Sequence, residues 1–369
     1  RYNGQKWEGK SMTLSKKKTR IVSIALIALL FGFLAIVDNF LGSYNVRILS
    51  LCAINIILAI GLNIIYGFTG MFSLGHAGFM AIGAYVATLL TMSPATKTAN
   101  FFMVPIEPWL LNIQLPFPVS LLIAGFVAAL FAVLIGLPIL KLGDDYLGIA
   151  TLGFAEIIRV IINNLPSITN GSMGIKNLPD VTNIYIIYAI AVLTVFFAYR
   201  LSNNSYGRAL KAIRENEIAA EASGINILKH KVLAFSIGAF FAGIGGALLV
   251  FWSNTIDPKM FTLTATFQVL TYVVAGGLGN ITGSVVLAFT FTFLMEWMRF
   301  IEGPMNLGFI TVHGVPGMRM LLFSVMLLVI ILKFGKGVFG DYEFSINGII
   351  NFFKNLKKKS TKKGGSKNA

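Results

Sequence analysis

The chain has 369 residues, of which 56% are hydrophobic and 12% charged, with a net charge of +15 and a mean hydropathy of +0.78. A soluble domain carries roughly 25% charged residues, so this composition excludes an ordinary water-soluble protein and predicts a chain built for lipid. The single cysteine, Cys52, excludes a disulfide within the chain and reads as a packing residue in an apolar span.

At the N-terminus, GQKWEGKS, Gly4 to Ser11, satisfies the phosphate-loop pattern G-x-x-x-x-G-K-[ST]. Such a loop works only between a buried strand and a helix whose N-terminal N–H groups converge on the phosphates. Three residues precede this match and the basic stretch MTLSKKKTR follows it. The match therefore reads as coincidence, and no catalytic residue, metal site or cofactor site is assigned within the chain.

Apolar blocks of spanning length then follow in order, near 21–41, 46–66, 71–91, 116–140, 145–163, 183–201, 231–252, 263–279, 283–301 and 318–333. A spanning helix needs about 20 residues. The blocks are continuous rather than alternating, which makes them helices and not barrel strands. The expectation is an all-α, polytopic integral membrane protein of about ten transmembrane helices, with a broken Gly-rich helix and a cytoplasmic helix for which the resemblance described below implies a coupling role. The first block is longer than a signal-peptide core and lacks a small-x-small cleavage site after it, so it reads as a retained helix. The eighth is the weakest.

With an even number of spans both termini share one side. Most Lys and Arg lie in the arm 1–20, the loop 202–230 and the tail 341–369, which puts those segments in the cytoplasm. The +15 charge thus marks membrane orientation and contact with lipid headgroups, not nucleic acid. Residues 21–340 form one membrane domain, with no soluble domain. The Gly-rich stretches near 67–70 and 276–283 both fall toward the cytoplasm, which a simple inverted repeat would not produce.

Between spans six and seven the loop reads RALKAIRENEIAAEASGIN from Arg208. Helix formers of alternating charge, stopped by Gly224, predict one cytoplasmic helix of about 15 residues over Arg208 to Ser223. Ala209, Leu210, Ile213, Ala219 and Ala220 are the residues that a partner could approach.

In this loop Glu217, Ala219, Ala220 and Gly224 resemble the EAA-x-x-x-G coupling motif of ABC importer permeases. The longer RENEIAAEASGINILKHKVLAF, with AFFAGIGGAL, resembles the branched-chain amino acid permease family in its LivM branch. GLNIIYGFTGMFSLGHAGFMAIGAYVA (Gly61 to Ala87), YLGIATLGFAEIIRVIINN, NGSMGI, VVAGGLGNITGSVVLA and GKGVFG are similar to further blocks of that family. Ser172, Met173 and Gly335 depart from its pattern. The resemblance implies a permease that is not itself an enzyme. ATP and Mg are expected on two separate ATPase subunits, which would press on Arg214, Glu215, Glu217, Ala219, Ala220 and Gly224. It also implies a second, LivH-type permease subunit forming a heterodimer, an extracellular or periplasmic substrate-binding protein, and the bacterial cytoplasmic membrane.

For the translocation pathway the candidates are Asn63, Gly70, Ser73, Gly75, His76, Thr151 and Glu156. Glycines between Gly67 and Gly83 suit a broken helix that exposes backbone to a cavity. His76 reads either as a pathway residue or as a link between helices. Glu156 with Arg159, and Glu296 with Arg299, are spaced to neutralise themselves locally. Gly238, Ala242 and Gly246, beside Ala239, Gly243 and Ala247, make two small-residue stripes suited to close helix packing. Two other functions stay open: a permease for urea or short amides in the same family, and an ion-coupled secondary transporter. The second is disfavoured by the scarcity of in-span carboxylates, mainly Asp38, Glu156 and Glu296.

Overall fold

The computed structural model describes residues 16–40, 42–141, 144–302, 305–306, 311–312, 317–333, 335, 337–340 and 343. The phosphate-loop match and almost all of the 341–369 tail lie outside these residues. The described residues fall into two units. The smaller contributes one helix, α1 (Lys16–Phe40), and the larger spans Gly42–Tyr342.

In the larger unit α2 (Ser43–Leu62) continues through a π-helical segment, Asn63–Gly67, then breaks before α3 (His76–Thr91). The short α4 (Pro94–Asn100) and α5 (Pro108–Leu111) lead into α6 (Phe117–Ile139). Next come α7 (Asp144–Asn163), the short α8 (Pro166–Thr169), β1 (Ile175–Lys176) and α9 (Ile184–Asn203). The loop that follows holds α10 (Ser205–Glu215) and α11 (Glu217–Ala222), and then the long α12 (Ile227–Ser253) begins. The chain closes with β2 (Thr255–Ile256), α13 (Leu263–Gly276), α14 (Ile281–Trp297), β3 (Met305–Asn306), β4 (Thr311–Val312) and α15 (Met318–Lys333).

Each of the apolar blocks read from the sequence coincides with a helix. Among the described residues, five helical segments are long and apolar enough to cross a membrane: Ser43–Gly67, Phe117–Ile139, Tyr146–Asn163, Ile184–Asn203 and Ile227–Ser253. Ile24–Phe40, His76–Thr91 and Ile281–Trp297 are shorter apolar stretches. The weak eighth block is α13, whose 14 residues extend only about 21 Å.

Asparagines set several helix starts, because a short carboxamide accepts from an N–H that has no intrahelical partner. Asn183 accepts from Ile186 N, Asn226 from Lys229 N and Asn280 from Gly283 N. α12 is the central helix and packs against α6, α3 and α2. The two small-residue stripes do this packing. A methyl on Gly83 would run into the Gly243 backbone, and one on Gly61 would lie 3.0 Å from the Gly238 carbonyl oxygen. Without glycine at these crossings the three helices could not approach so closely.

The two ends of α12 anchor different structures. At its N-terminal end sit α10 and α11. At its C-terminal end β2 pairs antiparallel with β1, Ile175 opposite Ile256. Asn100 holds the same strand from the other side, accepting from Lys176 N at 2.8 Å and donating to Lys176 O at 3.0 Å. Residues 97 and 176 therefore cluster at the end of α12 away from residue 215. Its 27 residues span about 40 Å.

Candidate translocation and coupling site

The break between α2 and α3 begins at Gly70, whose φ of +78° suits glycine because it has no Cβ to clash. Residues 70–75 are non-helical and run inward. Leu74 N donates to Thr151 Oγ1 at 3.0 Å, and Thr151 lies seven residues into α7, about 10 Å along its axis. A methyl on Gly75 would lie 2.8 Å from the Thr151 carbonyl oxygen. Gly75 N donates to Ser73 Oγ at 3.4 Å, and Ala77 N, in the first turn of α3, donates to Thr266 Oγ1 at 3.0 Å. Hydroxyls thus replace the helical ladder, which makes irregular backbone tolerable at this depth. The expected broken helix is present, but it is confined to residues 70–75. Gly78 and Gly83 lie within regular α3 and serve packing instead.

Asn63, Gly70, Ser73, Gly75 and Thr151 therefore belong to one construction around the break. His76 joins it as the first residue of α3: it is buried, and neither ring nitrogen has a hydrogen-bond partner among the described residues. Glu156 does not join it. It sits on an exposed face of α7, where Arg159 Nε donates to both carboxylate oxygens at 3.0 Å. Glu296 likewise pairs with Arg299 at 3.6 Å.

A second break, Gly277–Asn280 between α13 and α14, meets the first. Gly279 N donates to Asn63 Oδ1 at 3.0 Å, and Asn63 Nδ2 donates to Asn280 O at 3.2 Å. The oxygen and the nitrogen of one buried carboxamide are thereby both used to tie the two breaks together. The segment after α15 docks on the same turn: Val338 N donates to Ala275 O at 2.8 Å, and Asn280 Nδ2 to Gly340 O at 3.0 Å.

The loop corrects one expectation. It is not a single helix over Arg208–Ser223 but two, because Asn216 adopts extended backbone (φ −163°, ψ 110°) and caps α11 by accepting from Ala219 N. An asparagine favours a cap over a helix interior because its side chain competes for backbone N–H groups. Gly224 does terminate the helix, with φ +82°. Ile225 N donates to Ala220 O and Gly224 N to Glu221 O, the paired bonds of a Schellman stop. Leu210, Ile213 and Ala220 are buried within the chain and Ala209 is half-buried; α11 exposes Ile218, Ala219, Glu221 and Ala222, and α10 exposes Arg208, Arg214 and Glu215. Glu217 forms an ion pair with the buried Lys231 of α12. Arg214 donates from Nη1 to Gly67 O at 2.8 Å and from Nη2 to Glu215 at 2.7 Å.

Outside the spans, burial lowers the pKa of Lys97, whose Nζ donates to Leu110 O at 2.7 Å and Ile113 O at 2.6 Å. Sequence reasoning missed Thr266, Gly279, Asn280 and Lys231 as members of this site. The block VVAGGLGNITGSVVLA pointed to two of them, but nothing in sequence spacing brings residue 279 to residue 63.

A chain of apolar helices, broken at two glycine-rich points that share one end with an amphipathic loop, has the build of a multi-pass membrane protein. Three comparisons sharpen that class. The family described as the permease component of branched-chain amino acid transport systems matches residues 44–331. The chain is 32% identical over 318 residues to the high-affinity branched-chain amino acid transport system permease protein LivM of Escherichia coli (strain K12), covering 77% of this chain and 69% of that one. It is 26% identical over 248 residues to the corresponding LivH permease, covering 62% and 77%. The ribose import permease RbsC of Haemophilus influenzae is 25% identical over 76% of this chain and 84% of its own. No solved structure matches. The chain belongs to the branched-chain amino acid transport permease family, and the LivM relatives place it on that branch.

Proposed function

We propose that this chain is one transmembrane subunit of an ATP-driven importer for leucine, isoleucine and valine. It would work beside a LivH-type permease, with two ATPase subunits carrying ATP and Mg, and an extracellular binding protein delivering substrate. The termini and the 202–230 loop would face the cytoplasm of a bacterial cell, its inner membrane holding the complex. The observation that carries this reading is the tie between the loop and both breaks through Arg214, Asn63 and Gly279. An element pushed from outside the membrane needs a rigid connection to the part of the pathway that must move, and this is one.

A branched-chain amino acid is a zwitterion with an apolar tail. A pathway for it pairs aliphatic walls with a few neutral polar groups, because a fixed unpaired charge would hold one end of the molecule. Asn63, Ser73 and Thr151 and the irregular backbone of 70–75 supply groups of that kind. Glu156 carries charge but is already neutralised by Arg159. The test is uptake of labelled leucine, isoleucine and valine against urea, in liposomes holding the full complex with and without ATP. ATP-dependent leucine uptake is the expected result. Urea uptake without leucine uptake would overturn the substrate, and uptake without ATP would overturn the coupling.

A further inference from the structure

We infer that Arg214 is the residue through which movement of the loop reaches the pathway, acting on the two breaks rather than on the ATPase. This deepens the coupling role proposed above and rests on it.

Three observations meet at this side chain. Its Nη1 donates to Gly67 O at 2.8 Å, the carbonyl at the end of the π-helical continuation of α2. Carbonyls at a helix C-terminus lack intrahelical donors and carry the negative end of the helix dipole. A guanidinium is well matched to that position. Its stem packs on Gly70, where an added methyl would lie 3.2 Å from Arg214 Cγ; a methyl on Gly279 would lie 2.5 Å from Nη1. Arg214 therefore touches both breaks, and Asn63 bonds across the same junction.

The fork of the guanidinium is divided between two directions. Nη1 points inward to Gly67, while Nε and Nη2 engage Glu215 at 3.3 and 2.7 Å. Lysine has no such planar fork and could satisfy one direction only. α10 is secured at its base as well, because Lys211 Nζ donates to Ser202 Oγ at 2.7 Å. A displacement of α10 is thus delivered to Gly67 and Gly279 without an intervening flexible segment. The most exposed large apolar side chain described in the loop is a different residue, Ile218 of α11, 81% exposed. Contact with a partner and transmission inward are assigned to different side chains.

The experiment uses the complete complex in liposomes with its binding protein, and reads three quantities: ATPase subunit retained on purification, ATP turnover with and without loaded binding protein, and substrate imported per ATP. Arg214→Ala should retain the ATPase while substrate per ATP falls about tenfold, the worth of a charge-assisted hydrogen bond. Arg214→Lys, which keeps a cation at the α2 terminus, should lie between that variant and wild type. Gly279→Ala, with Arg214 intact, should reproduce the Arg214→Ala result. Wild-type substrate per ATP in Arg214→Ala overturns the inference. So does loss of the ATPase from that variant, which would make Arg214 a docking residue. Ile218→Asp separates the underlying reading: it should lose the ATPase, and if it does not, the docking reading fails and the inference fails with it, irrespective of Arg214.

Discussion

The two ends of α12 are fixed by different means. At the C-terminal end, Arg47 and Trp252 bond reciprocally, Arg47 Nη2 to Trp252 O at 3.1 Å and Trp252 Nε1 to Arg47 O at 2.9 Å, with the guanidinium 5.1 Å from the indole centroid. The β1–β2 ladder and the Asn100 clamp add further bonds between neighbouring elements. At the N-terminal end, the bonds run from a surface loop to backbone inside broken helices, and glycines clear the space. The first pattern closes off the ends of helices that are already packed. The second gives a peripheral loop direct purchase on the interrupted backbone, as the coupling role proposed above requires.

The comparison requires the helix between the two ends to be stiff, and the largest predicted effect tests that. Gly83→Val would force α3 away from the Gly243 backbone. Overpacking of this kind costs about 3 kcal/mol, so the variant should show a lowered thermal midpoint and poor recovery from the membrane. A variant as stable as wild type would mean that the crossing of α3 and α12 is soft.

Next in size is Glu217→Lys, which sets a second cation against buried Lys231 at the loop end. Breaking a fully buried pair costs roughly 3–5 kcal/mol; here about 2 kcal/mol is expected, since Glu217 keeps a wet side. The effect should be read as protease sensitivity of the 202–230 loop with the β1–β2 end unchanged. Equal sensitivity at both ends would erase the distinction between them.

Much of this was legible in the sequence, and for identifiable reasons. Span positions follow from runs of apolar residues, which lipid enforces regardless of partners. The stop at Gly224 and the break near Gly70 follow from glycine's access to positive φ. The fault lay at Asn216: a string of helix formers on both sides outweighed one capping residue, although an Asn followed three positions later by a free N–H is a start signal in its own right. The junction of Asn63, Gly67, Arg214 and Gly279 was not legible, because its members are separated by as many as 216 positions. Their contact depends on how α13 and α14 pack. Glu156 was legible in one respect only, its local pairing with Arg159. An acidic residue in a span suggested a pathway, but its orientation around α7 puts it on another face from Thr151.

A smaller effect is expected at the helix stop. Gly224→Val places a β-branched residue at φ +82°, where a Cβ costs roughly 1–2 kcal/mol. No atom lies within 4 Å of the position a Cβ would take, so the loss should come from backbone strain alone. Gly224→Asn, a residue more tolerant of this conformation, should recover most of it. Hydrogen exchange at Ile225 N, which closes the stop on Ala220 O, measures both. No difference between valine and asparagine would show that the stop does not hold the end of α11.

The smallest predicted effect concerns Glu156 and Arg159, and it decides whether the exposed face of α7 takes part in transport. Each charge is the other's partner, with Arg159 Nε equidistant from the two carboxylate oxygens at 3.0 Å. Removing one member leaves an uncompensated charge on an apolar helix, whereas removing both leaves a neutral surface. Replacing both members of an ion pair is often close to neutral even where breaking it is costly. The double variant Glu156→Gln with Arg159→Gln should therefore import substrate within about twofold of wild type, while Glu156→Gln alone does worse. That ordering is what a locally satisfied pair requires. If the double variant lost uptake while remaining assembled with its ATPase, the carboxylate would be acting on the substrate. The pathway would then extend along α7 beyond the break that Thr151 supports.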